Sequence, residues 1–124
     1  MATYSKQLLS QSTQGQPITV NATDRTAGTL IHSTGTSSSV IDEVWLYANN
    51  TSTSPVLLTV QFGGTGAVQH AKPITLAPQS GDVLIVAGLP LTGTGGSPAS
   101  ANSVAAFAAT ASVITISGYV NRIS

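Results

Sequence analysis

A chain of 124 residues with four Lys or Arg, four Asp or Glu and a formal net charge of zero is one domain with no field to draw it to nucleic acid or to an anionic membrane. An ordinary domain spends about a quarter of its positions on charge, so this chain has few ionisable groups for catalysis, and with no cysteine it has neither disulfides nor thiolate metal sites. Near-zero net charge favours self-association, and the composition points to a non-enzymatic subunit that hides surface in an assembly, without a cofactor.

The first sixteen residues show no hydrophobic period, so residues 1–16 are expected to be an N-terminal arm that orders on a partner, and residues 17–124 a single β-sandwich domain. No long apolar stretch follows Lys6, as a secretory signal would need, and the expectation is synthesis in the cytoplasm without a cleaved signal. Pro17 to Ala22 predicts a strand with Ile18 and Val20 on one face, and Thr29 to His32 another after Gly28. Val40 to Ala48 is the clearest strand: Val44, Leu46 and Ala48 share one face, Trp45 and Tyr47 the other, so both faces are expected to be covered.

Asn49 to Pro55 has turn composition. Val56, Leu58, Val60 and Phe62 then alternate with Thr59 and Gln61, the period of a half-buried strand. Gly63 to Gly66 turns the chain, and Pro73 confines the stretch from Val68 to Leu76 to an edge or splits it. Val83 to Ala87 predicts a buried strand, far too short to cross a bilayer. Pro90 to Asn102 predicts a loop, and Val104 to Thr110 with Val113 to Val120 a last pair of strands around Ala111-Ser112. The sum is an all-β antiparallel sandwich, jelly-roll-like, of about eight strands.

Chemistry-bearing patterns are sparse. His32 and His70 stand at no metal-ligand spacing and are expected at the surface or at strand ends. Asp42 and Glu43 are the only adjacent carboxylates; on a strand they point to opposite faces and cannot act together on one substrate group. An edge charge, or a salt bridge to Arg25, Lys72 or Arg122, is the role expected of them. Gly63-Gly64-Thr65-Gly66 lacks the Lys of a phosphate loop. Trp45 and Tyr47 suit packing in the core or at a subunit contact, or alternatively a platform for a sugar ring.

Lys6 to Ser10 followed by Pro17-Ile18, the run Asp42 to Asn50, Phe62 to Thr65 and the ending Gly118 to Ile123 resemble small β proteins of tailed-bacteriophage virions, above all capsid decoration (cement) proteins. The resemblance runs across most of the chain. It implies a structural virion protein on the capsid surface that binds the major capsid protein and steadies its contacts, as a homotrimer, with no nucleic-acid or membrane partner. A tail- or head-fibre module that binds carbohydrate or a host surface is the alternative. On the decoration reading Leu8 and Leu9 are the expected capsid contacts, and Trp45 and Tyr47 the expected oligomer interface.

Overall fold

The computed structural model describes residues 2–26, 28–64 and 68–124 and places nine strands among them. They are β1 (Tyr4–Leu8), β2 (Ile18–Val20), β3 (Thr29–Ser33), β4 (Ile41–Asn50), β5 (Val56–Phe62), β6 (Ala71–Leu76), β7 (Val83–Thr92), β8 (Ser103–Ala108) and β9 (Ile114–Ile123). One sheet runs β1-β9-β4-β7, with β2 also paired to β9, and the other runs β3-β8-β5-β6. Every pairing is antiparallel. From β2 onward the chain changes sheet at each connection except the β5–β6 hairpin. The resulting order, β2-β9-β4-β7 against β3-β8-β5-β6, is that of an eight-stranded jelly roll.

β1 is additional to that core. The segment expected to be an arm contributes five residues, Tyr4 to Leu8, that continue the sheet along β9 from Leu8↔Tyr119 to Tyr4↔Ile123. The sequence pattern hides this strand because its side chains bury little: Tyr4, Ser5, Lys6 and Leu8 are exposed, and the backbone ladder holds it. Leu9, next along, is 1 % exposed and plugs the core.

The alternations fix the interior. Val44, Leu46 and Ala48 of β4 and Ile114, Ile116 and Val120 of β9 face Leu58 and Val60 of β5 and Val104, Ala106 and Ala108 of β8, all fully or almost fully buried. Each of the Val, Leu and Ile side chains among them stabilises the fold by about 1.5–3 kcal/mol relative to exposure.

Two expectations shift. Residues 104–110 and 113–120 are not a hairpin: β8 lies in the four-stranded sheet and β9 in the other. The link between them spends its backbone donors on both, Ala109 N–H on Leu57 O and Ser112 N–H on Val20 O. β7 runs past Ala87 to Thr92. Gly88, at φ +67°, supplies a bulge, and Pro90 is tolerated because β7 is an edge strand. Pro73 likewise sits on the edge strand β6. Of the expected Gly63–Gly66 turn, Thr65 and Gly66 lie outside the described residues.

Candidate functional site

The outer face of the five-stranded sheet gathers the chain's amphipathic aromatics. Strand alternation sends Ile41, Glu43, Trp45 and Tyr47 outward from β4, because Asp42, Val44, Leu46 and Ala48 point in. The β9 register then places Ile123 beside Ile41, Asn121 beside Glu43, Tyr119 beside Trp45 and Ser117 beside Tyr47. β1 sets Tyr4 beside Ile123, Lys6 beside Asn121 and Leu8 beside Tyr119. β7 adds Pro90 beside Glu43, Ala87 beside Trp45 and Leu84 beside Tyr47. All three tyrosines and the single tryptophan of the chain therefore stand on one face.

That face is not covered. Tyr4 is 71 % exposed, Leu8 54 % and Leu84 45 %, while Trp45, Tyr47 and Tyr119 are half-buried against one another and their neighbours. The Trp45 and Tyr119 rings lie 6.2 Å apart at 12°, and the Lys6 ammonium sits 4.6 Å from the Tyr119 ring centroid, a cation–π contact. The Trp45 indole lies so close over Gly88 that a Cβ there would come within 2.8 Å of its ring. Its Nε1–H makes a long 3.4 Å hydrogen bond to Glu43 Oε1, which also accepts from Asn121 Nδ2 at 3.4 Å.

β1 is amphipathic in the reverse sense. Ser5 and Gln7 take the inward register opposite Arg122 and Val120, and Tyr4 and Leu8 take the outward one. An edge strand that points its apolar residues away from its own core extends an apolar surface outside it.

Beneath this face lies a buried polar cluster. Asp42, 1 % exposed, accepts Arg122 Nε at 2.8 Å on Oδ1, and Arg122 Nη2 at 3.0 Å on Oδ2. His32, also 1 % exposed, lies with Nε2 2.8 Å from the same Oδ2. The Ser10 backbone N–H is 2.9 Å from His32 Nδ1. A backbone N–H only donates, so Nδ1 accepts and Nε2 carries the proton given to Asp42. Burial by itself would raise the Asp42 carboxyl; the hydrogen bonds from Arg122 and His32, with the Arg122 charge, outweigh it and hold the carboxyl below its ordinary value. The Arg122 guanidinium is raised by its hydrogen bond to Asp42.

Both imidazole nitrogens are thus engaged, and the carboxylate is matched by one fixed cation. The cluster is a clasp: it ties β4 to β9, and through His32 and Ser10 it ties β3 to the segment after β1. Ser33 N–H donates to Ser10 Oγ at 2.7 Å and closes the same tie.

Of the expected site residues, Leu8, Trp45 and Tyr47 lie on the open face, Leu8 and Trp45 in one row on either side of Tyr119. Leu9 is in the core, because it continues the inward series of Ser5 and Gln7 where the chain leaves β1 toward His32. Asp42 and Glu43 do point to opposite faces, and the salt-bridge partner of Asp42 is Arg122. His32 corrects the expectation of a surface histidine, since its ring replaces an aliphatic side chain at an inward position of β3. His70 lies with Nδ1 3.1 Å from Phe62 O. Tyr4 and Tyr119 on the open face, and the parts of His32 and Ser10 in the clasp, were not expected from the sequence. Among the described residues no group of three or more His, Asp or Glu is placed to hold a metal ion, and no described helix is long and apolar enough to cross a membrane. No protein-family model matches the chain, and no curated protein or solved structure matches it.

Proposed function

We propose that the chain is a structural virion subunit, a capsid decoration protein that binds the outside of a phage head and steadies contacts between major capsid subunits. The supporting observation is the collection of Tyr4, Tyr47, Tyr119 and Trp45 on one outer sheet face. Tyr and Trp dominate the energetics of protein contacts, and the face carries only Lys6 and Glu43 as charges among its outward positions. The sequence resemblance supplies the kind of assembly, and the jelly roll, which serves viral shells and lectins alike, supplies no function by itself. The action is mechanical: a subunit with affinity for one state of the shell stabilises that state by mass action.

The test begins with the gene. A major capsid gene should lie beside it, and the chain co-expressed with that capsid protein should sediment with assembled shells. Deletion of residues 2–8 removes the exposed Tyr4 and Leu8 while sparing Leu9 and Ser10, and should release the chain from shells with the sandwich still folded. Shells that never retain the intact chain discard the reading.

A second reading, a carbohydrate-binding fibre module, draws on the near-parallel Trp45 and Tyr119 rings beside Glu43 and Asn121. Such a platform stacks on a sugar ring and hydrogen-bonds its hydroxyls. Saturable quenching of the single Trp45 by an oligosaccharide, lost in Tyr119→Ala, distinguishes it.

A further inference from the structure

The two charges on the open face have opposite signs and meet only neutral groups within the chain, Lys6 the Tyr119 ring and Glu43 the Trp45 and Asn121 donors. Lys6 on β1 and Glu43 on β4 lie in one row, on either side of Asn121 of β9. Asp42 pairs with His32 and Arg122, and neither of those ion pairs includes Lys6 or Glu43. Their backbones are separated by the width of two strand spacings, about 10 Å, with Asn121 between them.

The rows above and below continue the pattern. Tyr4 and Ile41 flank Ile123, and Leu8 and Trp45 flank Tyr119. Along β1 the outward side chains run aromatic, positive, apolar; along the matching positions of β4 they run apolar, negative, aromatic. A two-fold axis laid along β9, in the plane of the contact, keeps each row at its height and exchanges its flanks. It sets Lys6 against the partner's Glu43, Tyr4 against the partner's Ile41 and Leu8 against the partner's Trp45. Among these six positions each apolar one meets an apolar one and each charge its opposite. This is the self-complementarity an isologous contact requires, at the aligned stacking common between sheets.

We infer that the outer face of the five-stranded sheet closes on a second copy of this chain about a two-fold axis over β9, with Lys6 and Glu43 forming two reciprocal ion pairs. The inference rests on the reading of this face as a contact surface and deepens it. It replaces the three-fold implied by the resemblance with a pair of subunits, whose free β1 edges and loop ends leave two feet for a shell, so that binding at one raises the effective concentration at the other.

Charge reversal tests it on the purified full-length chain alone, by sedimentation velocity over a concentration series. The wild type should form a two-copy species. Lys6→Glu places two like-charge contacts in the pair, as does Glu43→Lys, and each should raise the dissociation constant at least tenfold. An equimolar mixture of the two variants restores both ion pairs and should give a heterodimer near wild-type affinity, as should the double reversal in one chain. The mixture also controls for folding, since a variant that had lost its fold is not rescued by its complement. A wild type that stays monomeric or forms a three-copy species, or a mixture that fails to pair, overturns the inference. Retention on shells is measured separately, so a dimer that ignores shells removes the decoration reading alone, and a monomer that binds shells removes the two-fold alone.

Discussion

The two outer faces of the sandwich are built from similar strands and end in opposite conditions. On the four-stranded sheet, Thr59, Gln61 and Ala105 point outward yet are 7 %, 1 % and 7 % exposed. The chain after β2 folds over them: Gln61 Nε2 donates to Arg25 O, and Gly28 lies so close that a Cβ on it would strike Gln61 Oε1. The five-stranded sheet has no such cover, although its outward residues include the costlier ones to leave wet, Trp45, Tyr47, Tyr119, Leu8 and Leu84. A chain that shields small and polar side chains with its own loop and leaves its aromatics open is arranged for an external contact on the aromatic side.

The comparison breaks first at Gly118, where the open face depends on its backbone. Gly118 sits opposite Leu46 in β9 at φ +153°, and a Cβ there would strike the Trp45 carbonyl oxygen. Gly118→Ala should separate β9 from β4 under the Trp45–Tyr119 pair and cost more than about 3 kcal/mol, with the chain recovered as aggregate or with a sharply lowered melting temperature.

The clasp that supports the open face from within comes next. Asp42→Asn leaves Arg122 without its counter-charge and should cost about 3 kcal/mol in urea unfolding, the low end for a broken buried pair because the Arg122 side chain keeps 35 % exposure. The pH dependence has a defined sign. The Asp42 carboxyl is depressed in the folded protein, so its contribution is complete above the ordinary carboxylate range and is lost as pH falls through the lower folded value. Wild-type stability should therefore fall below about pH 4, and Asp42→Asn should lack that part of the acid limb.

Much of this was legible in the alternation of single strands. β4 and β5 show it cleanly, and of the two outcomes Pro73 leaves open, an edge or a split, the fold takes the edge. The Asp42–Arg122 bridge was one of three pairings left open, and the register singles it out: Asp42 stands with Val44, Leu46 and Ala48, and Arg122 with Val120, two opposite charges at core-facing positions of strong strands. Such charges are tolerated only when paired. That β4 and β9 are neighbours, and that Ser10 reaches His32, depends on a pairing between residues about 80 and 22 positions apart in sequence, which no local period encodes. β1 escaped for a different reason. Its apolar residues face outward, so its pattern describes a surface not present in the single chain.

Trp45→Ala probes the open face with a smaller effect. It removes the stack on Tyr119 and uncovers Gly88. In the isolated chain this should cost about 1 kcal/mol, since the ring is half-buried, and it should weaken association by about 2 kcal/mol more if Trp45 anchors the contact. Melting at low and high protein concentration separates the two: the difference between wild type and variant should widen as concentration rises.

The finest discrimination uses two leucines matched in everything except their face. Leu84 points out of β7 on the five-stranded sheet at 45 % exposure, and Leu57 points out of β5 on the four-stranded sheet at 46 %. Replacement by Thr keeps strand propensity and removes a comparable apolar area from each. Chemical denaturation of either variant, under conditions where the chain is monomeric, should stay within about 0.5 kcal/mol of wild type, as for ordinary surface sites. Association should separate them: Leu84→Thr loses apolar area on the aromatic side and should dissociate several-fold more readily, while Leu57→Thr leaves association unchanged. If Leu57→Thr were the one to weaken it, the contact would belong to the face that already has a cover, and the contrast between the two faces would lose its functional meaning.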